Sequence, residues 1–494
     1  MSESIVMNCS SFLTRVAIAR KGKVEYLFVE RQGQGAPTGN IYKGKICNIL
    51  KGLNAAFVNI GESRNGFLPL EAHDDLYIFE ETEDSAPREP LTRPTWRIGE
   101  EVLVQLTKPA SESKGAKLTT DVSIPGALLV LLPVSPKRGI SRRIEEPAER
   151  RRLHDAMEGA IPKGMGYIVR TAARGKKAEQ LVREARYLLN QWSRVQRQAH
   201  RGKAPLLLWE ELPMPMRTVR DYATDATTEI ILDDEVVTKK LRVFCRTVFP
   251  DLLPKVRFWN QKTPVFSHHH IDHQVDELLA ERVALPSGGY LIFEESETLS
   301  AIDVNTGGSE RRSIQETIFH TNMEAAREIP RQIRIRNLAG LVVIDLIDMR
   351  NESQRRKVFD MLDKNIEEDK ARIKILSISK LGLVEMSRER IEPSLRQLIL
   401  EKCPCCGGSG RVKSLELIAM DMRNEFYRQV RSNPHKRFVA RVSKDLFEFI
   451  TSNRILQFGF LERRRTQVQP SATLKREEYE IVEPNAPVPA KSSG

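Results

Sequence analysis

Two runs, LSAIDVNTGG at residues 299–308 and LAGLVVIDLIDM at 338–349, constrain the fold of this chain more than anything else in it. Each is a short apolar stretch ending in carboxylates, and a helical stretch separates them, which is the pattern of an α/β core. Side chains alternate along a strand, so Asp303 and Asn305 share one face while Ile302 and Val304 take the other. Asp345 follows four apolar residues and emerges at or near the end of a buried strand. Asp348, three positions on, falls on the opposite face under strict alternation. It suits a supporting role or the cap of a helix beginning near Asn351, where N-E-S-Q fits a capping box. Pro330 lies inside the intervening helix and should kink or end it.

Strand-end aspartates commonly cap helices or bond loop amides, and that reading stands beside a sharper one. Burying a lone carboxylate is costly unless something positive or hydrogen-bonding compensates it, so two such strands in one domain point to a shared cation. Magnesium suits the arrangement, because it accepts one or two carboxylates, keeps several waters and can also touch a phosphate. The implied chemistry is phosphodiester hydrolysis by a metal-acidified water.

At 494 residues and 40% hydrophobic the chain is long enough for several cores. Lysine and arginine outnumber aspartate and glutamate by 78 to 66, a net charge of +12 that favours a polyanionic partner, either nucleic acid or an anionic membrane. The longest apolar run, PGALLVLLPV, is too short to cross a bilayer, so no membrane span is expected. Arg15 and Arg20 break the N-terminal apolar runs, whose alternation reads as a β-hairpin rather than a signal peptide. Six cysteines are too few for a disulfide scaffold and fit a reducing cytoplasm.

Three of those cysteines crowd into CPCCGGSG. Cys403 and Cys406 have the CxxC spacing that lets two thiolates hold one zinc ion, and Gly407, Gly408 and Gly410 permit the tight turn. A reduced knuckle or a redox pair competes with this reading. Tetrahedral zinc needs four ligands, and Cys9, Cys47 and Cys245 are scattered, so a second copy of the motif in another chain would complete the shell as a zinc-linked homodimer. The run SHHHIDH, with His268, His269, His270 and His273, reads as a solvated loop or domain junction, since adjacent histidines on an extended chain point in alternating directions.

Residues 39–70 bring short alternating strands with glycine-containing turns, the pattern of a small β-barrel. An acidic, proline-containing excursion from Glu80 to Pro94 precedes EEVLVQLTK, where the alternation resumes. In AAFVNIG the apolar face is Ala56, Val58 and Ile60, leaving Phe57 with Asn59; in GFLPL, Phe67 opposes Leu68 and Leu70. Such rings either stack on bases or pack under a neighbouring loop. Residues 126–217 mix strands such as GYIVRTAA with the helix AEQLVREARYLLNQWSRVQRQAHR, whose surface is almost entirely cationic. Arg142, Arg143 and Arg170 offer forks for phosphate, and Thr171 a hydroxyl. An amphipathic helix from about Leu415 to Val430 opens a small final domain, and EPNAPVPAKSSG lacks core-forming side chains and reads as disordered.

AIDVNTGG, RNLAGLVVIDLIDM, LGLVEMSR and CPCCGGSG stand in the order and spacing of the catalytic region of the ribonuclease E/G family, and the resemblance runs from GNIYKG near residue 39 to the small domain. It implies a multidomain α/β and β protein. An RNase H-like domain (1–35 and 218–278) is interrupted by an OB-fold RNA-binding domain (36–125) and a 5′-end sensor (126–217). A DNase I-like catalytic domain (279–400), a zinc-link (401–412) and a small α/β domain (413–494) follow. The resemblance implies magnesium on Asp303 and Asp345, and Asn305 orienting the attacked phosphate. It assigns Cys403 and Cys406 to a zinc ion shared between subunits, with Cys405 an extra thiol at a variable position. Phe57, Phe67 and Lys114 match RNA-contacting positions, while Gly126, Val130, Arg170, Thr171 and Arg372 match a pocket for a 5′-monophosphorylated end. The implied activity is an endoribonuclease cutting single-stranded RNA in ribosomal RNA processing and messenger decay. Its zinc-linked homodimers could pair into homotetramers. Family members with a long arginine- and proline-rich tail are the poorer match, because this chain stops soon after the small domain. Basic charge and a barrel would also serve an idle RNA-binding scaffold; the presence of both aspartates and Asn305 argues against it.

Overall fold

The computed structural model describes residues 2–31, 33, 37–70, 96–110, 115–307, 313–379, 381–390, 392–433, 435–453 and 466–484. Lys114, the 80–94 excursion and most of the tail expected to be disordered lie outside them. The chain divides into two compact units, Met1–Ile399 and Leu400–Gly494.

Strands β1 (Glu3–Cys9), β2 (Leu13–Arg20) and β3 (Lys23–Arg31) form an antiparallel meander, one strand more than the expected hairpin. Lys21 and Gly22 turn the last pair at φ of 50° and 77°, the primed geometry that matches strand twist. Next come β4 (Ile41–Leu50), β5 (Ala55–Asn59), β6 (Gly66–Pro69), β7 (Glu101–Lys108) and β8 (Lys117–Thr119). Their order is β4-β5-β6-β8-β7, and β7 pairs back onto β4. This closed five-stranded barrel is consistent with an OB-fold. Ile46, Val58, Leu68, Val104, Leu106 and Leu118 fill it, each on the inward phase of its strand.

A four-stranded sheet follows, in the order β11-β12-β10-β9. It comprises β9 (Ile124–Pro125), β10 (Leu129–Leu132), β11 (Arg138–Ile140) and β12 (Gly166–Val169), with α1 (Pro147–Met157) between the last two. Helix α2 (Ala178–Arg201) spans the basic run expected to be helical, and buries Leu181, Ala185, Leu188, Trp192 and Val195. Strand β13 (Leu206–Trp209) then adds to the barrel beside β4, and α3 (Met214–Tyr222) leads back to the first sheet.

That return is made by β14 (Thr227–Leu232), α4 (Glu235–Val248) and β15 (Val256–Phe258), giving the order β15-β14-β1-β2-β3 with β14 parallel to β1. Residues 3–31 and 227–258 thus share one sheet although the barrel and α2 intervene. The histidine run is not extended: it lies in α5 (Val265–His268) and the start of α6 (Ile271–Leu279), with His270 at φ 53° between them. His268 packs on Trp259 with ring centroids 4.5 Å apart. Helical turns replace the expected loop because Val265, Phe266, Ile271, Val275 and Leu278 are buried in the core that backs β1 and β3.

The last sheet of this unit is β16 (Arg282–Ala284), β17 (Tyr290–Glu295), β18 (Leu299–Asn305), β19 (Gly340–Asp345), β20 (Ile373–Ile375) and β21 (Leu383–Arg388), ordered β16-β17-β18-β19-β21-β20. Helix α7 (Ile314–Arg336) joins β18 to β19, and α8 (Glu352–Ile366) follows β19. Both pack on one sheet face, where Phe293, Ile302, Val304, Val342, Ile344, Val384 and Met386 meet Ala325, Ile329, Ile333, Val358 and Leu362. Each such burial contributes roughly 1.5–3 kcal/mol. Helix α7 runs through Pro330 rather than ending there. Asn351 caps α8 by accepting from the Ser353 amide. Helix α9 (Leu395–Ile399) closes the unit.

The second unit holds α10 (Leu415–Ser432), β22 (Phe438–Ser443), α11 (Lys444–Asn453), β23 (Thr466–Ser471) and β24 (Tyr479–Val482). Its sheet runs β23-β22-β24 over a core of Ile418, Met422, Phe426, Ala440, Val442 and Leu446. Among the described residues, no helix is long and apolar enough to cross a membrane.

Candidate active site

Asp303 and Asp345 are register partners on the adjacent parallel strands β18 and β19. Both are exposed on the face opposite the helices. Neighbouring strands lie about 4.8 Å apart, so two carboxylates in register can reach one small cation. Like charges directly opposite one another destabilise a sheet. Among the described residues no lysine or arginine pairs with either aspartate, so the pair is open to a cation from outside the chain. Asn305 Nδ2 donates to Asp303 Oδ2 at 2.8 Å, which brings all three predicted residues of this group together. The donor set, two carboxylates and an amide open to solvent, fits a hydrated magnesium ion.

The local sequence dictates this edge. A Cβ on Gly307 would stand 1.9 Å from the Gly288 carbonyl oxygen, so the strand can leave the site only through glycine. After Asp345 the chain is clamped by Asn322 of α7: its Nδ2 donates to the Ile347 carbonyl at 2.7 Å, and its Oδ1 accepts from the Ile347 amide at 3.1 Å. Asn322 is fully buried. Sequence reasoning missed it; the available signal was an asparagine at a core position of an amphipathic helix. With the strand ended at Asp345, alternation does not govern Asp348, which is exposed near Gly382. The open sheet face also carries Glu385 and Lys374.

A second constellation surrounds Arg170, at the end of β12. Arg170 Nη1 donates to the Gly126 carbonyl at 2.5 Å and to Asp221 Oδ1 at 2.7 Å. Arg220 Nε and Nη2 reach the same carboxylate at 3.2 and 2.9 Å, while its Nη1 pairs with Glu211 at 2.7 Å. Burial would push the Asp221 carboxyl up, but the guanidinium groups of Arg220 and Arg170 overcome it and hold the group at about 2. The Gly126 turn is fixed from beneath: Glu184 of α2 accepts from the amides of Ala127, Leu128 and Leu129 at 2.6, 2.7 and 3.0 Å. A Cβ on Gly126 would lie 2.8 Å from that carboxylate. Burial pushes the Glu184 carboxyl up against those three donors.

Thr171 is exposed, its hydroxyl 2.8 Å from that of Ser141. Val130 is buried inside the sheet, opposite Ile168 and Pro125. Arg372 is exposed, two residues beyond Lys370, whose ammonium donates to the Asp221 carbonyl. Arg143 donates to the Asp369 carbonyl at 2.7 Å. Gly126, Arg170 and Thr171 therefore sit together, Val130 lies behind them, and the Asp369–Arg372 segment is fastened alongside.

On the barrel, Phe57 and Phe67 are register partners on β5 and β6, half-buried on the outer surface, with ring centroids 6.0 Å apart in an edge contact. The row continues through Lys117 of β8 to Lys108 of β7. Those two lysines were not singled out from sequence, because a β-bulge at the β7–β8 pairing decides which residues align.

In the second unit the Cys403 carbonyl accepts from the Gly407 amide at 2.8 Å, and Cys406 Sγ from the Gly410 amide at 3.3 Å. Gly407, Gly408 and Gly410 have φ of 60°, 95° and 69°. Hydrogen bonds from the backbone of Cys406 and Cys405 hold the Cys403 thiol below its usual range, favouring the thiolate that binds metal. This tight turn with a stabilised thiolate fits zinc. Among the described residues no third or fourth ligand from the same chain joins it.

The chain matches the model of the Ribonuclease E/G family over residues 123–391. Ribonuclease G of Escherichia coli K12 is 32% identical over 489 residues, 98% of this chain and 100% of that protein. Ribonuclease G of Haemophilus influenzae is 30% identical over 488 residues, 97% and 99% of the two chains. Ribonuclease E of Escherichia coli K12 is 40% identical over 412 residues, 83% of this chain and 38% of that longer protein.

Proposed function

This chain belongs to the ribonuclease E/G family, and from that premise we propose how its residues carry out the family's chemistry. It is an endoribonuclease of RNA processing and decay. The observation that carries the detailed reading is the pairing of Asp303 with Asp345 in register, beside Asn305.

Asp303 and Asp345 hold a magnesium ion, which when bound supplies an acidified water and neutralises charge on the scissile phosphate. Asn305 spends one amide hydrogen on Asp303, and its second is free to orient a non-bridging phosphate oxygen. Asn322 positions Asp345 through the Ile347 backbone. The row Phe57, Phe67, Lys117 and Lys108 holds single-stranded RNA, the rings stacking on bases and the ammonium groups meeting phosphates. Lys114, outside the described residues, is by resemblance a further RNA contact.

The 5′-monophosphate is read by Arg170 and Thr171, with the Gly126 and Val130 backbone shaping the pocket and Arg372 closing it. Asp221 aims the Arg170 fork, which is the geometric support for this reading. Cys403 and Cys406 supply two thiolates to a zinc ion completed by a second copy, making a homodimer that could assemble further. Six free thiols suit a reducing cytoplasm.

A labelled single-stranded oligonucleotide carrying a 5′-monophosphate tests the reading. Cleavage should require magnesium, stop with chelator and fall when the 5′-end bears a hydroxyl. Binding without metal-dependent cutting would instead identify an RNA-binding scaffold.

A further inference from the structure

The outer face of α2 is unlike an ordinary solvated helix surface. Arg183, Arg186, Arg194, Arg197 and Arg201 are all exposed. At roughly 100° per residue they fall within an arc of about 80°, with Asn190 in the gap. Exposed helix faces normally interleave charges of both signs at i, i+4 spacing. Here the only carboxylates on the helix are Glu179, in its first turn, and Glu184, which is buried under the Gly126 turn. Among the described residues none of the five guanidinium groups forms an ion pair with a carboxylate. From Arg183 to Arg201 the stripe is about 27 Å long at the α-helical rise.

The helix that carries it touches, through other residues, both of the domains proposed to hold RNA. Near its start, Glu184 holds the Ala127–Leu129 amides beside Gly126 and Arg170. At its end, Lys43 of barrel strand β4 donates to the carbonyls of Ala199 and Gly202 at 2.9 Å each. The cationic line therefore follows a helix that links the sensor sheet to the barrel.

We propose that this arginine stripe tracks the phosphate backbone of RNA lying between the 5′-end pocket and the barrel, lengthening the footprint on long substrates. The proposal rests on RNA being the ligand of this chain. An RNA backbone suits the face better than a membrane. An interfacial helix inserts large apolar side chains beside its basic ones, whereas the apolar residues of α2 face the sheet and none is strongly exposed.

The test is binding of the full-length protein, with chelator present, to single-stranded RNAs of about 10 and 30 nucleotides across a salt series. Arg194, Arg197 and Arg201 are replaced together by glutamine, and in a second variant by lysine. Each phosphate contact contributes about 0.7 to the slope of log affinity against log salt for single strands. The glutamine variant should lose about 2 from that slope on the long RNA and bind it roughly tenfold more weakly. Its affinity for the short RNA should be unchanged, and the lysine variant should keep the wild-type slope. An unchanged slope on the long RNA, or an equal loss on both lengths, overturns the proposal. So does stripe-dependent capture by phosphatidylglycerol vesicles with RNA binding intact. Failure of the wild-type protein to bind even the short RNA would sink the RNA reading itself.

Discussion

Two regions of the first unit handle carboxylates in opposite ways. At Asp221 the protein supplies its own compensation: Arg220 and Arg170 surround the group and hold it ionised in a largely buried setting. At Asp303 and Asp345 two carboxylates stand side by side, exposed, and among the described residues no cation of the chain meets them. One site is a finished network that fixes a geometry. The other is open to a ligand, and on the proposed function the difference separates a positioning node from a reaction centre.

The largest effect is expected at the exposed aspartate pair. Asp303→Asn or Asp345→Asn should lower kcat by about a thousandfold or more, as expected when several kcal/mol of transition-state stabilisation is removed. Neither should lower Tm, since each relieves a like-charge contact; a fall in Tm with activity retained would reverse the assignment. At the finished site the order inverts. Arg220→Met leaves the carboxylates of Glu211 and Asp221 without their main partner and should cost about 3–5 kcal/mol of stability by denaturant titration. A loss near zero would mean that the network is not the anchor described.

Asp221→Asn sharpens the contrast, because it loosens Arg170 without touching the cutting edge. The preference for a 5′-monophosphate over a 5′-hydroxyl, measured as a ratio of kcat/KM, should fall about tenfold, with 5′-hydroxyl cleavage retained. The pH dependence follows from the sign of the shift. A carboxylate held at about 2, below its ordinary 3.8, contributes stability above the ordinary value and loses it only as pH falls through about 2. Titration of Asp221 should therefore leave the preference flat between about pH 5 and 8. The smallest effect belongs to the barrel: Phe67→Ala, which leaves the Phe57 ring in place, should weaken RNA binding by about 1 kcal/mol, the low end for one lost stacking ring, read by anisotropy, with single-turnover cleavage at saturation unchanged.

Much of this was written in local periodicity. The phase of LSAIDVN puts Asp303 and Asn305 on one face, and the long basic run AEQLVREARYLLNQWSRVQRQAHR is the helix α2. What local pattern could not supply was pairing between distant segments. That β18 and β19 align Asp303 with Asp345 depends on where α7 returns the chain, and the row from Phe57 to Lys108 depends on a bulge. Asn322 escapes a local reading because its partner, the Ile347 backbone, is remote in sequence. The histidine run misled because its flanking residues Phe266 and Ile271 gain burial only in the folded unit.

Whether Asp303 and Asp345 share one ion is measured by binding of manganese, a spectroscopically visible substitute for magnesium, to the intact protein. One bound ion of carboxylate and water coordination is expected per catalytic sheet, weakened strongly and equally by Asp303→Asn and by Asp345→Asn. An ion retained at full affinity when either aspartate is changed would contradict the shared site.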